Sequence, residues 1–273
     1  GAGGMGEVWK ATHMHLDRLV AIKVLSERFL ADPSFKTRFI KEAKAMCRLQ
    51  HPHILGIIDF FVEGEGYFLI LPFIAGSTLE ARLHDKASPL SRDETLSIAE
   101  KILDALAYAH EQGVVHRDVK PANILLDAQG HPYLHDFGIA IVSGEERLTV
   151  VGSSIGTPHY MSPEQIRTPE AVGRQADQYS MGCVLYEMLS GRPPFVEENS
   201  AAVMVAHCDE EAPLLSQLDP TIPEALGLVI QRSLAKDPAA RFGNCREFLR
   251  AVKAVWRSVP TEATPPPGGG SAV

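Results

Sequence analysis

The sequence predicts an α+β fold, with a strand-rich first part carrying one helix and a mainly helical second part. Three observations carry this expectation. Val8, Trp9, Val20 and Ile22 fall in two short runs, 7–11 and 19–25, of the β-branched and aromatic type that strands favour. Phe35, Phe39, Ala43 and Met46 recur at helical spacing within 35–50, so a helix interrupts the strands. After Pro72 helical patterns dominate.

The elements follow in order. His51-Pro52 ends the 35–50 helix, because the residue before a proline is pushed out of the helical region. Strands are expected around 54–61 and 67–71, joined by the turn Glu63-Gly64-Glu65-Gly66. Ser91-Arg92-Asp93-Glu94 is a capping box, opening a helix that carries Leu96, Ala99, Leu103 and Leu106 and stops near Gly113. Another helix is expected from about Asp177, through Met181, Val184, Leu185 and Met188, to Gly191. Later helices are expected at 199–208, 223–235 and 244–257. Residues 258–273 hold Pro265-Pro266-Pro267 and Gly268-Gly269-Gly270, a composition that builds no core and reads as a flexible linker.

The chain has 273 residues, 45% of them hydrophobic and 22% charged, which is ordinary globular composition and enough for a two-lobed enzyme or two small domains. A formal net charge of −8 argues against a nucleic-acid-binding surface. Cys47, Cys183, Cys208 and Cys245 are far apart, without a Cys-x-x-Cys pair, and read as reduced thiols of a cytoplasmic protein. No apolar run reaches the roughly 18 residues of a membrane helix. The chain starts at Gly1 rather than Met, so a fragment or processed product is expected.

Gly1-Ala2-Gly3-Gly4-Met5-Gly6-Glu7-Val8 fits G-x-G-x-x-G-x-V, in which glycines let backbone amides approach phosphates. A dinucleotide-binding Rossmann loop shares part of this pattern, but it opens a helix and wants an acidic residue about 20 positions on. Here strand-forming residues follow, and the residue further on is Lys23. A G-x-x-x-x-G-K-[ST] loop is absent. Downstream, His116-Arg117-Asp118, Lys120, Asn123 and Asp136-Phe137-Gly138 follow one another. Such a series supplies one carboxylate to meet a substrate hydroxyl and two further groups to hold Mg²⁺ on a nucleotide phosphate. Each residue alone would be an ordinary loop polar group, and Lys23 alone a solvated strand lysine.

With Val20-Ala21-Ile22-Lys23 upstream and Ser162-Pro163-Glu164 downstream, the ordered set resembles that of the protein kinases over nearly the whole chain. Lys120-Pro121-Ala122-Asn123 and Gly156-Thr157-Pro158-His159-Tyr160-Met161 are similar to the serine/threonine branch, and most of all to bacterial eukaryotic-like (Hanks-type) kinases. The resemblance implies two lobes in residues 1–257. Residues 1–71 would form an antiparallel-sheet lobe lacking the start of its first strand, 72–74 the hinge and 75–257 the helical lobe. An apolar residue before Gly1 and the strand start would then be missing, which is expected to weaken nucleotide binding.

The same resemblance implies ATP and Mg²⁺ (or Mn²⁺) as cofactors. Gly1, Gly3 and Gly6 would cover the phosphates, and Lys23, held by Glu42, would meet them. Val8, Ala21 and Leu125 would enclose adenine beside the gatekeeper Leu71, with the Pro72 carbonyl and the Ile74 amide facing it. Asp118 would orient the hydroxyl, Lys120 would lie against the γ-phosphate, and Asn123 and Asp136 would bind metal. Thr157 would contact Asp118 and Lys120, Glu164 would pair with Arg241, and Asp177 would brace the catalytic loop. His135 is an uncommon neighbour for Asp136 and is expected to pack there. Arg117 would receive a phosphate on Thr149, Ser153 or Ser154. The implied partners are proteins with Ser or Thr acceptors, and a second copy for trans-autophosphorylation. In many such kinases a linker like 258–273 leads to a membrane helix, so the longer protein would be anchored beyond residue 273. Ala122 and Thr78 stand where Arg-seeking kinases carry acidic residues, so a strong demand for upstream Arg is not expected. The rivals are a pseudokinase that binds without catalysis and an interaction module that uses no nucleotide.

Overall fold

The computed structural model describes residues 2–3, 6–25, 33–85, 87–137 and 158–256. Gly1, Thr149, Ser153, Ser154, Thr157 and the tail lie outside them. The small lobe contains β1 (Ala2–Gly3), β2 (Gly6–His13), β3 (Arg18–Leu25), α1 (Pro33–Met46), β4 (Asp59–Glu63) and β5 (Gly66–Pro72). Its antiparallel sheet has five strands in the order β1-β2-β3-β5-β4. Directly opposed residues share a face. The register Val8↔Lys23, Lys10↔Ala21 and Ala21↔Leu71 therefore puts Val8, Ala21, Lys23 and Leu71 on one face. That face also carries Leu25 and Leu69, which pack with Phe39 and Ala43 of α1 in a small separate core.

Two expected boundaries move. The strand expected at 54–61 begins only at Asp59, and Ile54 instead makes an isolated parallel bridge to Leu134. The helix expected to reach residue 50 ends at Met46, and the amides of Cys47, Arg48 and Leu49 close hydrogen-bonded turns behind it. The 51–58 segment crosses to the large lobe, where the Leu55 amide donates to the Leu134 carbonyl at 2.9 Å.

The large lobe continues with β6 (Gly76–Thr78), α2 (Leu79–His84), α3 (Arg92–Glu111), β7 (Ile124–Asp127), β8 (Pro132–Leu134) and α4 (Pro163–Arg167). It ends with α5 (Arg174–Ser190), α6 (Ser200–Asp209), α7 (Leu215–Leu218), α8 (Glu224–Ser233) and α9 (Cys245–Trp256). Both hydrogen bonds of the Ser91–Glu94 capping box form at the start of α3. α5 begins a turn before Asp177, from Gly173, and ends where Gly191 takes a φ of +75°, which only glycine adopts freely.

α3 and α5 run through the main core. Ile102, Leu103, Leu106, Tyr179, Met181 and Leu185 are fully buried there. In this core the Tyr179 hydroxyl lies 2.8 Å from His207 Nδ1. Burial, with the nearby Lys236 charge, pushes His207 down to about 3. Cys183, Cys208 and Cys245 are buried, whereas Cys47, directly after α1, is exposed. Among the described residues no helix is long and apolar enough to cross a membrane.

Candidate active site

The glycine loop is a hairpin between β1 and β2, with Gly3 paired to Gly6. At Gly6 the backbone has a φ of +148°, and a Cβ would sit 1.8 Å from the Val24 carbonyl oxygen. Only glycine lets β2 approach β3 there. Val8, two residues on, is 41% exposed.

The β7–β8 hairpin brings the metal-ligand candidates together. Its register, Ile124↔Leu134 and Leu125↔Tyr133, makes the strand ends meet. The His135 amide donates to the Asn123 carbonyl at 3.0 Å, so Asn123 before β7 and Asp136 after β8 are neighbours. Leu125, half-buried on β7, is also paired with Thr78 of β6.

Asp118 is held from two sides. The Asn123 amide nitrogen donates to the Asp118 carbonyl at 2.8 Å and to its carboxylate at 2.9 Å. Lys120 Nζ lies 2.9 Å from the same carboxylate. With its nitrogen end committed, the Asn123 amide keeps its oxygen end for a cation. Asp136 has a φ of +57°, an uncommon conformation for a non-glycine residue. Its carboxylate lies 2.8 Å from Lys23 Nζ. Burial alone would raise its pKa, but the neighbouring His135 and the Lys23 charge outweigh that and hold it well below the usual carboxylate range. His135 lies beside it, as expected, with Nδ1 3.6 Å from the carboxylate.

The expected Lys23–Glu42 pair does not form in this arrangement. Lys23 pairs with Asp136, and Glu42 of α1 faces Arg117 at 3.8 Å. In this exchange each of the two carboxylates still faces a cation.

The catalytic loop hangs on buried anchors. Asp177, fully buried on α5, accepts from the His116 amide at 2.7 Å and the Arg117 amide at 2.6 Å. Arg117 has a φ of +66°, a conformation that persists only where surroundings over-determine it. The His116 ring accepts from the Asp118 amide through Nδ1 at 3.2 Å, so its Nε2–H donates to the His135 carbonyl at 3.0 Å. Burial pushes the His116 pKa down, and the neutral ring packs at a tilt against Phe137 with centroids 4.5 Å apart. Glu164 and Arg241 form a two-pronged pair at 2.7 and 2.8 Å. The Gln165 side chain donates to the Arg117 carbonyl at 2.7 Å, a tie that sequence reading missed. His110 was missed as well, because a histidine in the last turn of a helix reads only as a favourable dipole partner.

Comparison with known proteins agrees with this geometry. The family model described as protein kinase domain matches residues 1–256. The chain is similar to serine/threonine-protein kinase PknE of Mycobacterium tuberculosis, 41% identical over 255 residues covering 93% of this chain and 44% of that protein. It is also similar to serine/threonine-protein kinase PrkC of Bacillus subtilis, 36% identical over 94% of this chain and 39% of that protein. The chain thus spans less than half the length of these relatives. The crystal structure of the M. tuberculosis PknI kinase domain superposes with a TM-score of 0.77 at 32% identity, covering 95% of this chain and 93% of that one. On sequence and fold alike, the chain belongs to the protein kinase domain family and resembles its bacterial serine/threonine members.

Proposed function

We propose that the chain is the catalytic domain of an ATP-dependent protein serine/threonine kinase, active in cytoplasmic signalling. The observation that carries this is the clamp on Asp118, formed by Asn123 at 2.8 and 2.9 Å and Lys120 at 2.9 Å. The clamp fixes a carboxylate where a hydroxyl can be oriented and its proton accepted. Lys120, beside it, neutralises charge on the transferring phosphoryl group. Val8, Ala21, Leu71, Leu125 and the 72–74 hinge enclose adenine, and Lys23 leaves Asp136 to meet the phosphates.

The donor set suits Mg²⁺. An ionised Asp136 and the oxygen end of Asn123 are hard oxygen ligands, and Mg²⁺ takes one or two protein oxygens together with substrate phosphates. Bound there, Mg²⁺ neutralises phosphate charge. Protein Ser or Thr side chains are the acceptors, and a second copy of the chain is one of them. Arg117 supports control by phosphorylation, because its Nε is buried without a hydrogen-bond partner among the described residues. A phosphate on Thr149, Ser153 or Ser154 would draw Arg117 from Glu42 and release Glu42 to Lys23. The longer protein would be membrane-anchored through a segment after residue 273.

Incubation with labelled ATP and Mg²⁺ or Mn²⁺, followed by phosphosite mapping, tests this reading. Phosphoserine or phosphothreonine formed by the wild type and not by Asp118→Asn is expected. Nucleotide binding without transfer would make the chain a pseudokinase.

A further inference from the structure

A line of buried side chains runs from the last helix to the catalytic loop. Cys245 at the start of α9 places its Sγ 3.8 Å from His110 Nδ1. His110, in the last turn of α3, places Nε2 2.7 Å from Asp177 Oδ2. That oxygen also accepts the His116 amide, and its partner Oδ1 accepts the Arg117 amide. The His110 and Asp177 side chains are 4% and 1% exposed, so water does not substitute for a missing partner. Asp177 is ionised: burial opposes its charge, but His110 and the loop amides outweigh burial and lower its pKa. A carboxylate only accepts, so His110 must carry its proton on Nε2. In the neutral imidazole Nδ1 is then the acceptor, and the Cys245 thiol, whose pKa burial pushes up, keeps the proton it needs to donate.

We infer that His110 is a positioning residue for phosphoryl transfer: its Nε2–H fixes the Asp177 carboxylate that holds residues 116 and 117, and Cys245 fixes the tautomer. This rests on the phosphoryl-transfer reading of Asp118. The loop needs such support because Arg117 is held at a φ of +66° immediately before Asp118. If Asp177 Oδ2 turns away, the His116 and Arg117 amides lose their acceptor and the loop relaxes, moving Asp118 off line. Nucleotide binding uses other groups and is not touched.

The imidazole nitrogens are not equivalent, and this gives the test. A glutamine amide reaches the place of Nε2, whereas an asparagine amide reaches only that of Nδ1. His110→Asn is expected to lower kcat by about tenfold or more with the KM for ATP changed less than about twofold, because misplacement acts on the reacting geometry. His110→Gln should restore kcat to within about threefold of wild type, since it replaces one donor to a charged acceptor by another. A packing role alone would make the two variants alike, and equal kcat values in both would overturn the proposal. A second measurement needs no variant. Nitrogen-15 spectra of the wild-type imidazole are expected to show Nε2 protonated, and an unprotonated Nε2 would overturn the proposal even if both variants failed to fold. A wild type that transfers no phosphate, with Nε2 protonated, would instead sink the kinase reading and leave the His110–Asp177 bond standing.

Discussion

Removing Arg241 should be among the most damaging single changes outside the catalytic loop. Its side chain is fully buried and its partner Glu164 is 10% exposed. Besides the paired carboxylate, the guanidinium donates to the carbonyls of Gln175 at 2.8 Å, Ala235 at 2.8 Å and Lys236 at 3.3 Å. It also lies over the Tyr179 ring, 4.9 Å from the centroid. In Arg241→Ala the Glu164 carboxylate stays buried without its cation, and breaking a buried pair in this way costs about 3–5 kcal/mol. For a domain of this size each kcal/mol moves Tm by roughly 2–4 °C, so a fall of about 6–20 °C is expected. Glu164→Gln leaves the Arg241 charge unpaired but should cost less, about 1–3 kcal/mol, because the amide oxygen and three backbone carbonyls still accept from the guanidinium. Thermal denaturation followed by circular dichroism, on both variants at one protein concentration, measures the difference. An Arg241→Ala Tm within about 2 °C of wild type, or a larger loss in Glu164→Gln, would refute the reasoning that a buried charge stripped of its hydrogen-bond partners costs most.

Three further outcomes are expected. Asp118→Asn should lower turnover by about 10²- to 10⁴-fold with ATP affinity intact by calorimetry, whereas Asp136→Asn should weaken Mg·ATP binding itself; equal effects on affinity would undo the division of labour. Replacing Thr149, Ser153 and Ser154 together by Ala should abolish autophosphorylation of that segment and depress activity, and a fully active wild type shown by mass spectrometry to be unmodified there would count against it. His207 titrates at about 3 in the folded chain against 6.5 ordinarily, so its contribution to stability is complete above 6.5 and is lost as pH falls from 6.5 towards 3. His207→Gln should flatten stability against pH across that window, and an unaltered slope in urea denaturation would exclude His207 as its source.

Residues whose roles are local were legible in the sequence. The Ser91–Glu94 capping box, the α5 stop at Gly191 and the small-lobe strands at 19–25 and 67–71 follow from neighbours a few positions apart. Motif order was enough to gather Asp118, Asn123 and Asp136, because the hairpin that joins them is short. What the sequence hid depends on long-range geometry. β6, β7 and β8 have three or four residues each, too few for a period to register. His110 meets Asp177 and Cys245 across 67 and 135 positions, so no local pattern marks it. The exchange of partners among Lys23, Glu42, Arg117 and Asp136 was equally hidden, since these residues are far apart in the sequence and no local pattern decides which of them pair.

The distribution of thiols offers an optical handle on that placement. Cys47 is the exposed cysteine and the other three are buried, so a maleimide dye added under native conditions enters at a single address. The dye would sit directly behind α1, five residues from Glu42, on the element whose position sets the partner of Lys23. Partial desolvation and the nearby Asp59 raise the Cys47 pKa, so mildly alkaline buffer speeds the coupling. Fluorescence from that one site would follow the helix in real time as nucleotide, metal or phosphorylation is supplied, with no cysteine needing to be engineered in or out.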